Sequence, residues 1–214
     1  MKRSTLACAL LAVLTVSSGP LYGDFLTFSN SNLIAIPTRG PANPYSSAID
    51  VSGLTSPLVN MTMTLGGFSH TYPDDTAAAV VSPQGTAVLL FSGPGTGIRA
   101  SNITFVFDDN ASATLPGEGA LASGRYKPGL FQWDDVFPSP GPAMNYGFAF
   151  QPLLSENPNG TWNLFVMDDN AGDGGAINLG WSVTFEYNAV PEPNSFCLSA
   201  LALVGMFFRK RVRV

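Results

Sequence analysis

The sequence predicts an all-β protein, a jelly-roll β-sandwich, on three observations. Four stretches of the chain alternate apolar and polar residues with period two. Pro/Gly clusters such as GPGTG (93–97) and PSPGP (138–142) punctuate the strands. Between the two terminal segments no amphipathic stretch of helical period stands out.

Residues 1–23 form an export signal. Met1, Lys2 and Arg3 supply the positive start, Leu6 to Val16 the short apolar run, and Ser17, Ser18 and Gly19 the small residues that follow. Cleavage falls between Ser18 and Asp24. Residues 24–47 are expected to be an N-terminal extension, and 48–188 to form the sandwich. Short helical segments are expected only in the two terminal signals.

Four strands define the body. In LVNMTMTL (58–65), Val59, Met61, Met63 and Leu65 face inward. In NITFVF (102–107), Ile103, Phe105 and Phe107 do so. TWNLFVMD (161–168) offers Trp162, Leu164 and Val166, and GWSVTFEY (180–187) offers Trp181, Val183 and Phe185. Each pattern suits a sheet with one face buried and the other wet. Between Asp108 and Asn145 runs a long Gly-, Pro- and acid-rich segment, expected to hold a short hairpin around SGRYKPG (123–129) and to cap one end of the sandwich. Trp133 lies within it, in LFQWDDVFP (130–138), as a candidate contact for a sugar ring or a protein surface.

The tail, 189–214, carries VPEP (190–193), an uncharged run NSFCLSALALVGMFF (194–208) and the basic end RKRVRV. Fifteen residues give roughly 22 Å of helix, short of a ~30 Å hydrocarbon core, so the segment suits a transient inner-membrane anchor. The basic end would stay cytoplasmic. With Pro191, Glu192 and Pro193 at its head, the tail resembles a PEP-CTERM sorting signal. The resemblance implies a Gram-negative bacterium, an exosortase that cuts the tail, and delivery to the cell surface, outer envelope or exopolysaccharide matrix. A plain tail anchor is the alternative.

Cys8 lies in the signal and Cys197 in the tail, so residues 24–190 have no cysteine and no disulfide despite export. That segment holds 14 Asp and Glu against 4 Lys and Arg, a net charge near −10. Such a charge disfavours nucleic acid and anionic surfaces as partners and invites cations.

The chemistry-bearing residues are sparse. His70 is the single histidine, with Ser69 beside it and Asp74 and Asp75 just beyond. Adjacent residues on a strand point to opposite faces, so Ser69 and His70 do not form a nucleophile–base pair, and no G-x-S-x-G elbow occurs. A lone histidine without thiols does not suit zinc. Calcium fits better. DDNAGDGG (168–175) gathers Asp168, Asp169, Asn170 and Asp173 in a Gly-rich turn, and Asp108 and Asp109 at a strand end are candidate further ligands. Ordinary turn chemistry is the competing reading of the same residues.

Two quoted stretches carry a second resemblance. HTYPDD…VVSPQGTAVLLF (70–91) and NPNGTWNLFVMDDNAGDGGAINLGWSVTF (157–185) resemble, in order and separation, the two halves of the P domain (Homo B domain) of kexin- and furin-type proprotein convertases. The match spans about 48–187 and implies a galactose-binding-like jelly roll without catalytic residues of its own. The run Thr76-Ala77-Ala78-Ala79 departs from that pattern, where an acidic or polar residue is common. The expected function is therefore non-enzymatic: a structural or adhesive protein, bound to extracellular polysaccharide or another surface protein. The alternatives are a carbohydrate-binding module and an accessory domain of a subtilisin/kexin-type serine endopeptidase system.

Overall fold

The computed structural model describes residues 23–54, 58–131, 136–143 and 145–188. The helical segments expected at the termini, and the tail itself, lie outside the described residues. What is described is two β-sheets packed face to face.

Twelve strands follow one another: β1 (Gly23–Asn30), β2 (Ile34–Ile36), β3 (Gly40–Pro41), β4 (Ser47–Val51), β5 (Leu58–His70), β6 (Thr76–Val81), β7 (Ala87–Ser92), β8 (Ala100–Phe107), β9 (Gly124–Tyr126), β10 (Gly160–Asp168), β11 (Gly175–Ile177) and β12 (Trp181–Asn188). Short 3-10 turns occupy Pro73–Asp75 and Gln151–Ser155. In the first sheet β5 is the spine. Along one edge it pairs with β12 and then β11, and along the other with β8. β1 extends the sheet beyond β12, β2 beyond β11, and β9 beyond β8. In the second sheet β10 is the spine, flanked by β6 and β7 on one side and by β4 and β3 on the other.

The period-two reading of the inward faces holds at Met61, Met63, Leu65, Ile103, Phe105, Phe107, Trp162, Leu164, Val166, Trp181, Val183 and Phe185, all buried in one core. Val59 is the exception, 45% exposed. The register between β5 and β12 shifts between Glu186 and Tyr187, and that bulge takes Val59 out of the alternation.

The segment 24–47 is not an extension outside the sandwich. β1 pairs residue for residue with β12 along its whole length, and β2 and β3 join opposite sheets. Their hydrogen bonds run to strands more than a hundred residues away, which local alternation does not reveal.

The long segment after Asp108 also differs from its expectation. Gly124–Tyr126 makes no hairpin; it adds to β8 as a parallel strand. Gly129 and Phe131 then donate backbone N–H groups to Leu90 and Ser92, covering the free edge of β7. Farther on, Phe137 and Tyr146 pack with Phe165, Met167, Leu89, Ala77 and Ala79 on the outer face of the second sheet. Tyr45 joins them, its ring edge-on to Phe165 at 5.1 Å and its hydroxyl donating to Pro138 O at 2.8 Å. Burial, then the neighbouring Tyr146, pushes its pKa up to about 12. The segment thus covers a face rather than capping an end. The small Ala77 and Ala79 are completely buried beneath that cover, on the departing run of β6.

Candidate functional site

β5 ends at His70, where it meets Gly175 of β11 on one side and Ala100 of β8 on the other. The His70 ring is sealed from solvent. Its Nδ1 accepts the Tyr72 backbone N–H at 3.2 Å, so the neutral ring carries its proton on Nε2. That nitrogen lies 3.1 Å from Oδ2 of Asp168, the last residue of β10 and equally buried. The contact is off the N–H axis, and neither atom has an aligned hydrogen-bond partner. The pair ties the end of one sheet to the end of the other.

Ser69 is turned away, as the strand geometry requires. Its Oγ accepts the Asn102 N–H at 2.9 Å and the Asn178 side-chain amide at 3.3 Å. The nearby Thr76 hydroxyl donates to Pro73 O at 2.6 Å. Both hydroxyls are committed to the fold.

Around this junction the turn after β5 and the turn after β10 are stitched together. The Asp169 N–H donates to Asp75 O at 2.9 Å, and the Thr71 N–H to Gly174 O at 3.2 Å. Gly174 N–H returns a bond to the Thr71 hydroxyl at 3.1 Å. The glycines of DDNAGDGG serve this closeness: a Cβ on Gly175 would lie 2.0 Å from Ser69 O. The result is an open basin of about 450 Å³ lined by Tyr72, Asp74, Asp75, Asp169, Asn170 and Asp173.

The basin carries the electrostatic cost of its acids. Asp74 and Asp75 titrate above the usual carboxylate range, through partial burial first and the charge of Asp169 second. An Asn170 side-chain hydrogen bond holds Asp75 partly back. Asp168 is also raised, chiefly by burial, against the lowering effects of the Asn170 N–H on its Oδ1 (3.0 Å) and of His70.

For groups raised in the fold, the native state binds protons more tightly than the unfolded chain. Stability therefore falls as pH climbs from the ordinary carboxylate value through the raised ones, and the loss persists at neutral pH. Asp169→Asn removes the repelling charge. It is expected to stabilise the domain by about 0.3–1 kcal/mol at neutral pH, with the gain vanishing below roughly pH 4. Thermal melts across pH in chelator measure this; an equal gain at both pH values would contradict it.

The sequence-derived ligand set is divided by the fold. Asp169, Asn170 and Asp173 stay together and are joined by Asp74 and Asp75, which sequence reasoning had not assigned to them, whereas Asp168 turns inward to His70 and leaves the set. Asp108 and Asp109 are elsewhere. Along β5, Met63 faces Phe107 and His70 faces Ala100, so seven residues, about 24 Å, separate the two ends. There Asp108 is ion-paired with Arg125, and Asp109 accepts the N–H groups of Phe150 and Gln151 at 2.9 Å each. Both carboxylates are occupied structurally. The recurring Asp-Asp dipeptide was the available signal, but it does not say which copies meet.

Hard oxygen donors suit calcium. Yet among the described residues no three His, Cys, Asp or Glu side chains converge in a set that could hold a metal ion. The basin has the chemistry of a calcium site without its convergence. Trp133 lies outside the described residues, as do Pro191, Glu192 and Pro193. A second concavity, about 580 Å³ on the outer face of the second sheet, is lined by neutral groups including Ser46, Asn145, Asn163, Pro140 and Phe165.

Comparison with known proteins bears on the body and the tail separately. Over 174 residues, 81% of this chain, the sequence is 28% identical to Leupeptin-inactivating enzyme 1 of Streptomyces exfoliatus. The chain spans 29% of that protein's length. Similar solved structures include the Aeromonas sobria serine protease in complex with its chaperone, at 16% identity and a TM-score of 0.38, covering 80% of this chain and 28% of that one. A second solved structure, of a serine protease of Aeromonas sobria, matches at 14% identity and a TM-score of 0.37, covering 79% of this chain and 27% of that one. Residues 189–211 match the PEP-CTERM protein-sorting motif. The chain therefore carries the recognition signal for exosortase processing and is an exported protein sorted to the cell surface.

Proposed function

We propose that the body of this chain is a non-catalytic, P-domain-like jelly roll with a structural or adhesive role in the outer envelope or extracellular matrix. The observation that carries the reading is the burial of the lone imidazole. His70 accepts one backbone N–H and faces one carboxylate, with both of its nitrogens turned into the protein. A general base must reach a substrate's proton.

The test is direct. Purified full-length chain incubated with casein and a peptide panel is expected to release no product above a buffer blank. Turnover that co-purifies with the chain and disappears in His70→Asn overturns the reading.

Two other readings rest on particular observations. The match to the Streptomyces enzyme, of which this chain spans 29%, favours a module that accompanies an enzyme; the P-domain resemblance makes that enzyme a separately encoded subtilisin/kexin-type endopeptidase, and a secreted protease whose half-life lengthens when this chain is added would select it. The neutral concavity around Ser46 and Asn163 favours a carbohydrate-binding module, with extracellular polysaccharide as ligand. Calcium belongs to the proposal as a stabilising ligand of the Asp74, Asp75, Asp169 and Asp173 basin, without Asp108, Asp109 or the buried Asp168. Binding would offset the charge repulsion there, so the melting midpoint in calcium should exceed that in chelator; equal midpoints would remove the ion from the account.

A further inference from the structure

We propose that the corner where Gly23 pairs with Asn188 is the membrane-facing pole of the sandwich, with Phe25 and Val59 seated at the lipid interface while the sorting tail is attached. The inference rests on the surface-sorting reading and adds an orientation and a contact surface to it.

The register carries the first part. β1 and β12 are antiparallel, and their terminal pair is Gly23 with Asn188. The sequence enters the sandwich from the export signal at Gly23, and the sorting match begins at residue 189. Both membrane-directed segments therefore join the folded body at one corner. Three residue steps separate Asn188 from Pro191, at most about 11 Å, and six separate it from the start of the apolar run at Asn194, at most about 22 Å. A sandwich tethered that closely, over a headgroup layer roughly 5–8 Å thick, has this corner nearest the bilayer.

Exposed apolar side chains carry the second part. Phe25 is 63% exposed and lies opposite Glu186 in the register, on the outward face of the sheet. Glu186 faces Asn60 on the next strand, beside the bulged and exposed Val59. Large apolar side chains gathered where a chain meets a membrane behave as interfacial contacts. Asp24 and Glu186 stand at the same corner and hold the contact to the interface rather than the hydrocarbon. Two side chains make a small patch, and the tether supplies the local concentration that makes it effective.

The opposite pole follows from β5, whose thirteen residues from Leu58 to His70 span about 40 Å. The acidic basin lies at that far end, directed away from the bilayer.

The experiment uses the full chain with Cys8→Ser and Cys197→Ser, carrying Phe25→Cys, Val59→Cys or Asp173→Cys in turn, each labelled with a polarity-sensitive dye. Phosphatidylcholine vesicles are added and quenching by aqueous iodide is read. Expected is a loss of quenching of about threefold or more at positions 25 and 59, with position 173 unchanged. All three sites are on the surface, and the two at the corner report independently of each other. Quenching unaltered at 25 and 59, or reduced equally at 173, overturns the orientation and leaves the sorting reading in place. A chain that fails to float with the vesicles overturns both the orientation and the tail-anchored stage on which it depends.

Discussion

His70→Ala is expected to lower the unfolding free energy by about 3–5 kcal/mol, chiefly the cost of the cavity left by a sealed ring, with a buried carboxylate left facing it. Asp168 is fully buried. Its Oδ1 keeps the Asn170 N–H, but Oδ2 faces only the imidazole. Without the ring, a charge and a cavity remain where β5 and β10 meet. The Tyr72 N–H also loses its acceptor, loosening the turn that brings Asp74 and Asp75 to the basin. For a domain of this size the midpoint should drop by roughly 6–20 °C. Asp168→Asn removes the charge and keeps the shape, so it should cost less, about 1–3 kcal/mol. Urea unfolding of the three proteins side by side measures the order. A loss below about 1 kcal/mol for His70→Ala would mean that the pair is hydrated and that the junction does not hold the sheets together.

Trp162→Ala is expected to cost a similar 3–5 kcal/mol by a different route. The ring belongs to β10 and reaches across the core to Phe185 of β12, with centroids 5.5 Å apart. Its Nε1–H donates to Pro158 O at 2.8 Å, tethering the chain that leads into β10. Alanine empties the space between the sheets, whereas Trp162→Phe keeps most of the packing and loses the hydrogen bond, costing about 1–2 kcal/mol. Equilibrium denaturation separates the two. Equal losses would place the energy in the hydrogen bond instead of the packing.

The four strands of the core were legible because each advertises itself locally. Met61, Met63 and Leu65, or Trp181, Val183 and Phe185, alternate with polar residues, and burial of one sheet face demands that alternation. β10 was legible only by half. Phe165 and Met167 face outward, yet they are buried by a loop from elsewhere in the chain. β6 hid its role similarly, since Ala77 and Ala79 are small to admit that cover. β1 gave no clear signal because most of its residues remain exposed at a sheet edge.

The candidate site divides along the same line. That DDNAGDGG forms an acidic turn, and that Ser69 and His70 cannot act together, follow from composition and strand geometry. The sorting tail is equally local, a motif written in consecutive residues. By itself, then, the sequence determined the fold class, most of the core's inward faces, the placement of Ser69 and His70 on opposite faces of their strand, and the sorting of the protein to the surface. Only the tertiary structure decided that Asp74 and Asp75 meet Asp169 and Asp173 while Asp108 and Asp109 stand about 24 Å away. It also decided that His70 finds Asp168, and that the two terminal segments share a corner. Those meetings depend on the register of long-range strand pairs, where a partner a hundred residues distant sets the position and no local pattern records it.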